Sequence, residues 1–205
     1  MEAARRWWFP VLLGVILIAG PALYYQHQRR HFRNFREVVE GQLYRSGQMS
    51  PEGLKKVVHE YGIKTIICLR ENDKIDDHNA AQERWEQSFA NQEYVKFVRL
   101  PPLRWWAPEG KEPPAMTNVR KFVDEILHDP KTYPRPILIH CFAGEHRTGV
   151  YVAIYRMEVD HWTHEQAIEE LMRIGYVNFN KEEDVRTFVK NYVPTWQQKE
   201  TKTQP

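Results

Sequence analysis

Cys141 and Arg147 stand six positions apart in the stretch IHCFAGEHRTG, residues 139–149, which follows a short apolar run and precedes a helical pattern. A turn between a buried strand and a helix N-terminus directs several backbone N–H groups at one point, and the helix dipole favours an anion there. Gly144 lets the backbone curl inward without a side-chain clash. Arg147 can bond two phosphate oxygens through its planar guanidinium. The stretch therefore predicts a cradle for a phosphate group.

The same donors favour the ionised form of the Cys141 thiol, because a positive field lowers a thiol pKa below its usual value of about 8.5. A thiolate at the base of a phosphate cradle is a nucleophile, so the expected chemistry is attack on phosphorus, release of an alcohol or phenol, and hydrolysis of a phosphocysteine. Thr148 could donate its hydroxyl to the sulfur, and His140 is expected to orient the loop. A buried cysteine beside an unrelated arginine is the alternative, and the longer His-Cys-x-x-Gly-x-x-Arg-Thr-Gly string disfavours it.

Alternating strand and helix patterns surround this loop. Strands are predicted at 42–46, 63–69, 94–100 and 136–141, and helices at 50–61, 78–90, 115–127, 148–159, 163–174 and 181–192. Ser50 is a predicted N-cap followed by proline, and Thr163 with Gln166 forms a predicted capping box. This order indicates an α/β domain with a central, mostly parallel sheet flanked by helices. Sites in such sheets form beyond the carboxyl ends of strands, where Cys141 lies.

A second feature is the apolar N-terminus. Residues 7–28 contain no Asp, Glu, Lys or Arg, and roughly 20 apolar residues are needed to cross a bilayer. Tryptophans at one end and tyrosines at the other are typical of interfacial belts. We therefore expect one transmembrane helix that makes this a single-pass membrane protein, and the arginines after it place the domain in the cytoplasm. A cleaved secretory signal ending near residues 20–22 is the alternative.

Composition limits the partners, metal sites and domains that the chain can have. The 205-residue chain has a formal net charge of +2, which gives no reason to expect a nucleic-acid partner. Two cysteines cannot form a four-cysteine zinc site, and the histidines show no metal spacing, so neither metal nor cofactor is expected. The predicted domains are a membrane anchor at 1–30, a catalytic domain at 31–193 and a disordered polar tail at 194–205.

The string HCFAGEHRTG resembles the signature loop of the cysteine-dependent protein tyrosine and dual-specificity phosphatases, and the likeness extends from about residue 35 to 192. LYRSGQ at 43–48 is similar to the entry strand of the atypical group found in plants, fungi and bacteria. The resemblance implies that Cys141 is the nucleophile and that Arg147 binds phosphate. It also implies that the cradle is the backbone of Phe142, Ala143, Gly144, Glu145, His146 and Arg147.

The general acid is where the sequence departs from this family. Relatives usually supply an aspartate from the loop before the signature strand, but residues 100–116 contain only Glu109 and Glu112 as carboxylates. His146 and Glu145 are the other candidates, since either imidazolium or carboxylic acid can protonate a leaving group within hydrogen-bond reach. His146 is favoured narrowly over Glu109. Three further aspartates are predicted to belong to a solvated loop and helix cap: Asp73, Asp76 and Asp77.

The substrate prediction rests on charge. Relatives that act on inositol pyrophosphates resemble this chain but carry basic residues where it has Phe142, Ala143 and Glu145, so a phosphotyrosine-like or singly phosphorylated substrate is expected. Trp105 or Trp106 could wall the site, or pack as core. The predicted function is hydrolysis of phosphate monoesters of a protein or small molecule. An idle, membrane-tethered phosphate-binding module is the alternative, suggested by the missing aspartate.

Overall fold

The computed structural model describes residues 2–70 and 78–198, with side chains from residue 12 in the first helix and from residue 81 in the third. The helices are α1 (Glu2–His31), α2 (Pro51–Glu60), α3 (His78–Gln92), α4 (Ala115–Arg120, continued by a π-helical turn at Lys121–Ile126), α5 (His146–Val159), α6 (His164–Arg173) and α7 (Glu183–Asn191). The strands are β1 (Arg36–Val39), β2 (Leu43–Ser46), β3 (Thr65–Cys68), β4 (Lys96–Arg99) and β5 (Ile137–His140).

The five strands form one mixed sheet in the order β1-β2-β5-β3-β4. β1 pairs with β2 antiparallel, and the other neighbours are parallel. β2, β3 and β5 are buried at all four positions, as strands between two helical layers must be, and in β2 this burial includes the polar Arg45 and Ser46. The prediction of a mostly parallel sheet flanked by helices is confirmed, and β5, which leads into the 141–147 loop, occupies the middle of the sheet.

Two hydrophobic clusters cover the two faces of the sheet. One contains Leu43, Ile137 and Ile139 together with the buried side of α5. The other contains Ile66 and Leu138 with residues of α2 and α3. Alternate residues of β5 therefore enter opposite clusters, as the two-residue period of a strand requires. The strand that carries Cys141 is consequently fixed from both sides.

The predicted helix caps at Ser50 and Thr163 are confirmed. The Ser50 side chain accepts a hydrogen bond from the Gly53 amide, with Pro51 at the first helical position. Thr163 and Gln166 form the capping box. α5 begins at His146, two residues before the predicted start, so His146 and Arg147 belong to its first turn. β1 was not predicted, because its four residues REVV lie half-buried or exposed at the sheet edge and lack alternation.

The predicted transmembrane helix is not supported. Within the described side chains, no helix combines the length and apolar character that a membrane span needs. The apolar residues of α1 whose side chains are described run from Leu12 to Leu23 and are followed by tyrosine, glutamine and histidine. The predicted anchor began at Trp7, and the side chains of residues 1–11 lie outside the described part of the chain.

The C-terminal residues differ from the predicted tail. Residues 195–198 form a helical turn. The Thr195 amide and hydroxyl donate to the Glu158 carboxylate, and Trp196 donates to the Met157 carbonyl at 3.0 Å. These contacts hold the chain against the end of α5 as far as residue 198. Residues 199–205 lie outside the described part.

Candidate active site

The 141–147 loop begins where β5 ends and closes onto the first turn of α5. Cys141 is 4% exposed, and the Gly144 amide donates to its Sγ at 3.2 Å. Gly144 has a φ of +80°, a conformation that side chains of L-residues disfavour. The loop thus turns inward above the cysteine, as the sequence predicts.

Two glycines allow the loop to lie against β2. A Cβ on Gly144 would come within 2.3 Å of the Gly47 nitrogen, and one on Gly47 within 2.7 Å of the Ala143 carbonyl oxygen. Both distances are shorter than any real Cβ contact and involve backbone atoms that cannot swing aside. The end of β2 and the loop are therefore packed backbone to backbone, and the Gln48 amide donates to the Phe142 carbonyl at 2.9 Å.

Arg45 supports the loop from beneath. Its side chain is 1% exposed, and Nη2 donates to the Gly144 carbonyl at 2.7 Å. Burial lowers the pKa of this guanidinium to about 10, while nearby Glu170 and Cys141 oppose the shift. A buried cation this close favours negative charge above it. Sequence reasoning placed Arg45 on the entry strand without a role, because only the fold shows which face it occupies.

The Cys141 thiol is biased toward ionisation. Burial alone would raise its pKa, but the nearby hydroxyl and amide of Thr148, the amide of Gly144 and the charge of His140 lower the pKa below its ordinary value. By distance and angle, the buried Thr148 hydroxyl forms no hydrogen bond with any described residue. The predicted donor therefore lies near the sulfur with its own hydrogen-bonding capacity unused.

Arg147 projects from the first turn of α5 and is half-buried. Its Nη1 donates to the Leu69 carbonyl at 3.3 Å, which ties the guanidinium to the end of β3. Leu69, Pro101, Trp105 and Tyr151 lie around it. A single long hydrogen bond to a carbonyl leaves most of the N–H fork available for another acceptor.

His140 pairs with a carboxylate from another helix, a contact that no sequence pattern predicts. Glu86 of α3 contacts the His140 Nε2 at 2.9 Å, and both side chains are 2% exposed. Burial alone would lower the pKa of His140, but the charge and hydrogen bonds of Glu86 and Cys68 raise it well above its ordinary value. The Glu86 carboxylate therefore favours the protonated form of His140, directly before the nucleophile. The predicted role of His140 in orienting the loop therefore involves Glu86, which is distant in the sequence.

Cys68, Glu86 and His140 offer ligand atoms that lie within 4.8 Å of one another. Such a trio could hold a metal only if the imidazole were neutral. The Glu86 ion pair stabilises the protonated ring, which opposes binding of a cation. The geometry is better explained as a buried ion pair behind the loop.

The general-acid candidates lie in different surroundings. Glu145 accepts a hydrogen bond from the Asn34 side chain at 2.9 Å, so its carboxylate is held toward the N-terminal segment. The exposed His146 ring stacks on Tyr176 with a centroid distance of 4.5 Å. Asp73, Asp76 and Asp77 lie outside the described residues. The structure leaves His146 free to exchange protons with solvent and engages Glu145 elsewhere.

The first residues of the 100–116 segment lie beside Arg147, and its later residues lie farther from the loop. Trp105 packs edge-on against Phe188, 4.8 Å between centroids, so it is largely a packing residue. Trp106 is 57% exposed. Glu112 pairs with Arg120 and lines a groove against α7 together with Trp106. Glu109 is exposed. Neither glutamate contacts the 141–147 loop in the described part of the chain.

The N-terminal segment joins the site from the other side. The Arg33 carbonyl accepts from the Gly47 amide at 2.7 Å, and Asn34 donates to the Ala143 carbonyl at 2.8 Å. The Arg33 guanidinium lies 4.1 Å from the centroid of the Phe142 ring. These contacts were not predicted, because no local pattern links residues so far apart in the chain.

Comparison with known proteins agrees with this geometry. Curated relatives include the tyrosine-protein phosphatase-like protein OCA2 of Saccharomyces cerevisiae, 28% identical over 63% of this chain. The dual specificity protein phosphatase TpbA of Pseudomonas aeruginosa is 43% identical over 25% of it. The matches span 59% and 22% of these relatives' own lengths.

Solved structures share the fold. The core catalytic domain of the PP-IP phosphatase SIW14 from S. cerevisiae, in complex with citrate, has a TM-score of 0.60 at 20% identity and matches 84% of this chain and 93% of its own. P. aeruginosa TpbA in complex with pTyr has a TM-score of 0.57 at 20% identity, with 78% and 84% covered.

The decisive match is to a whole family. The model described as PTP-NADK, "DSP-PTPase phosphatase fused to NAD+ kinase", matches residues 24–189. The resemblance to atypical dual-specificity phosphatases of fungal and bacterial type is thereby confirmed. Because this one match accounts for most of the chain, the protein belongs to that family of cysteine-dependent dual-specificity and tyrosine phosphatases.

Proposed function

We propose that this protein hydrolyses phosphate monoesters through a phosphocysteine on Cys141. The observation that carries the proposal is a buried thiol of lowered pKa, with the Gly144 amide 3.2 Å from its sulfur and Arg147 on the first turn of the following helix. A binding site for phosphate needs the amides and the arginine, but it has no use for an ionised thiol.

The proposed reaction has two displacements. The Cys141 thiolate attacks phosphorus, the P–O bond to the leaving group breaks, and a general acid protonates the departing oxygen. Water then attacks the phosphocysteine, the P–S bond breaks, phosphate leaves, and the thiolate is restored. The loop amides and Arg147 bind the equatorial oxygens through both steps.

We propose His146 as the general acid. Its imidazole is exposed at the start of α5, directly before Arg147, whereas Glu145 is bonded to Asn34 and Glu112 to Arg120. Glu109 is the second candidate. An imidazolium suits leaving oxygens that need a proton near neutral pH.

The substrate proposed is a phosphate monoester, either on phosphotyrosine or phosphoserine of a protein or on a small molecule. A bacterial relative of the same fold is described in complex with pTyr, and a yeast one as a PP-IP phosphatase. The loop itself carries Phe142, Ala143 and Glu145 at the positions between the cysteine and the arginine, so its own side chains supply little positive charge besides Arg147.

The test is hydrolysis of para-nitrophenyl phosphate by the full chain, beside Cys141→Ser and the matched control Cys68→Ser, across pH 4.5 to 8. We expect turnover that Cys141→Ser abolishes and that Cys68→Ser lowers without abolishing, because the Cys68 thiol lies beside His140 and not in the loop. Because the pKa of Cys141 is lowered, activity should already rise on the acid side of the usual thiol pKa of about 8.5. A folded wild-type chain that binds vanadate but has no turnover would refute the enzyme and leave the idle binding module.

Membrane attachment is a separate proposal. It rests on residues 7–28 of the sequence, which carry no Asp, Glu, Lys or Arg, and on the flanking arginines that favour a cytoplasmic catalytic domain. Carbonate extraction of membranes from expressing cells tests it. Full-length protein that is released by carbonate would refute an integral anchor.

A further inference from the structure

The Phe142 ring marks one edge of the candidate site. It belongs to the residue directly after Cys141, and its side chain is 49% exposed. Two arginines from other parts of the chain stand at its face, Arg33 at 4.1 Å and Arg70 at 5.6 Å from the ring centroid. A loop poor in basic residues is thus bordered by two guanidinium groups.

Of these two arginines, only Arg33 lacks an ion pair with a described residue. Arg70 is 4% exposed, bonds to Gln48 and lies 3.4 Å from the Glu83 carboxylate. Arg33 is half-buried and has no ion pair with any described residue. Stacking on a ring orients a guanidinium but leaves its N–H edge unsatisfied. Arg33 therefore presents a donor edge beside the loop without an acceptor among the described residues.

The backbone fixes this arginine in place. The Arg33 carbonyl accepts from the Gly47 amide at 2.7 Å, and the next residue, Asn34, binds the Ala143 carbonyl and the Glu145 carboxylate. Asn34 adopts a φ of +51° to do so, a conformation that asparagine tolerates better than most residues. A side chain placed this way has lost much of its freedom before any ligand arrives, which lowers the entropic cost of binding.

We infer that Arg33, stacked on Phe142, forms a second anion subsite, so that the preferred substrates carry another phosphate or carboxylate next to the phosphate that is hydrolysed. This inference rests on the proposed function for the identity of the first site. It also revises the expectation of a singly phosphorylated substrate, because positive charge absent from the loop is supplied by the segment after α1.

Calorimetric titration of the full chain with methylenebisphosphonate and methylphosphonate, with a chelator present, tests the subsite without turnover. The wild type should bind the bisphosphonate about tenfold more tightly, the ratio expected of one charge-assisted hydrogen bond. Arg33→Gln should bring the ratio close to one, and Arg33→Lys should restore part of it. Arg30→Gln, which removes an equal charge three residues earlier, should keep the wild-type ratio. Circular dichroism confirms that each variant folds.

A wild-type ratio near one, or a ratio that survives Arg33→Gln, would overturn the subsite. A ratio lost equally in Arg30→Gln would also overturn it, since net charge alone would then be responsible. The para-nitrophenyl phosphate assay is independent: turnover with no bisphosphonate preference refutes the subsite only. Preference without Cys141-dependent turnover supports the subsite and refutes the phosphatase.

Values of kcat/KM then distinguish two classes of substrate that could carry the second anion. One is a phosphotyrosyl peptide with glutamates beside the phosphotyrosine, compared with its glutamine counterpart. The other is catechol bisphosphate, compared with phenyl phosphate. A preference that Arg33→Gln removes in the peptide pair supports a protein substrate, and one removed in the catechol pair supports a small substrate. A preference in neither pair would contradict the inference.

Discussion

The Cys141 sulfur is surrounded by groups that favour negative charge. The Gly144 amide donates to it, the Thr148 hydroxyl lies near it, His140 contributes charge from the preceding position, and Arg45 lies beneath Gly144. Because Arg45, His140 and Thr148 come from β2, β5 and α5, the lowered pKa of the thiol depends on the sheet being assembled. Proton delivery, by contrast, is proposed for His146, an exposed residue whose ring stacks on the buried Tyr176.

A substitution at His146 tests whether proton delivery depends on a different residue from those that activate the thiol. His146→Asn removes the proposed proton donor, so kcat for phenyl phosphate should fall by about 100-fold, within the range of general acid catalysis. The loss for para-nitrophenyl phosphate should be much smaller, because its leaving group needs little protonation. The two substrates are compared at the pH of maximal wild-type activity.

Glu109→Gln is the matched control and should affect both substrates alike. If the losses in His146→Asn were equal for the two substrates, His146 would act in binding or folding rather than as the acid. If Glu109→Gln alone showed the leaving-group dependence, the role would pass to Glu109.

At the residue scale the sequence predicted one class of contact and missed another. Cys141, Arg147 and Thr148 are close in the chain, so a local motif could place them together. Arg45 and Arg33 reach this loop from β2 and from the segment after α1, and Glu86 of α3 contacts His140 directly before it. No local period or spacing encodes those approaches, because they exist only once the strand order is known.

At the scale of elements, the closest packing joins the end of β2 to the 141–147 loop. Gly47 and Gly144 allow backbone to meet backbone there, and the Gln48 amide completes the contact. The loop is therefore shaped by the strand beside it as much as by the helix after it. A side-chain atom added at Gly144 must therefore displace either the loop or the end of β2.

Gly144→Ala should cost more stability than the left-handed backbone alone requires. An alanine at positive φ costs about 1–2 kcal/mol, and a Cβ 2.3 Å from the Gly47 nitrogen adds a clash. Gly62→Ala is the control, since Gly62 has a φ of +62° with open space around it. The free energy of unfolding is measured by urea denaturation, and Gly144→Ala should also lose para-nitrophenyl phosphate turnover.

Equal losses of unfolding free energy in the two variants would show that the loop moves away from β2 at no cost. The close approach would then not be a constraint on the loop. Retained turnover in Gly144→Ala would contradict the proposed role of the inward turn.

The elements themselves were largely predictable, because their signals are local. Ser50 and Thr163 cap helices as their spacing indicates, and β3 and β5 read as buried apolar runs. The edge strand β1 had no such signal. Its pairing with β2 is antiparallel and tolerates side chains of any polarity, so tertiary structure alone reveals it.

At the scale of the whole molecule, a buried polar cluster joins α3 to the catalytic strand. Glu86 pairs with His140, while Glu83 lies 3.4 Å from both Arg70 and Arg99. Buried charges of this kind are costly when a partner is removed. The cluster consequently couples the position of α3 to the state of the active site.

This coupling predicts the pH dependence of stability. The pKa of His140 is raised in the folded state, so its ion pair with Glu86 contributes fully below the unfolded histidine pKa of about 6.5. The contribution is lost as pH rises through the folded-state pKa. Glu86→Gln should therefore lower the free energy of unfolding by about 3 kcal/mol at pH 6, and the difference from wild type should shrink toward alkaline pH.

Urea denaturation of wild type and Glu86→Gln from pH 6 to pH 9 measures this. Glu60→Gln removes a carboxylate from an exposed pair with Lys56 at 4.0 Å and should change little at any pH. A difference between wild type and Glu86→Gln that grew with pH would mean that His140 is neutral in the folded protein.

The end of α1 and the residues after it belong to the catalytic unit. His31 lies against Ser50, with 2.7 Å between Nδ1 and Oγ, and the two residues that follow Phe32 bind the 141–147 loop and β2 directly. The family match likewise starts at residue 24, inside α1. A shortened protein that began after Asn34 would therefore lose contacts to the 141–147 loop, even though every residue of the loop itself was retained.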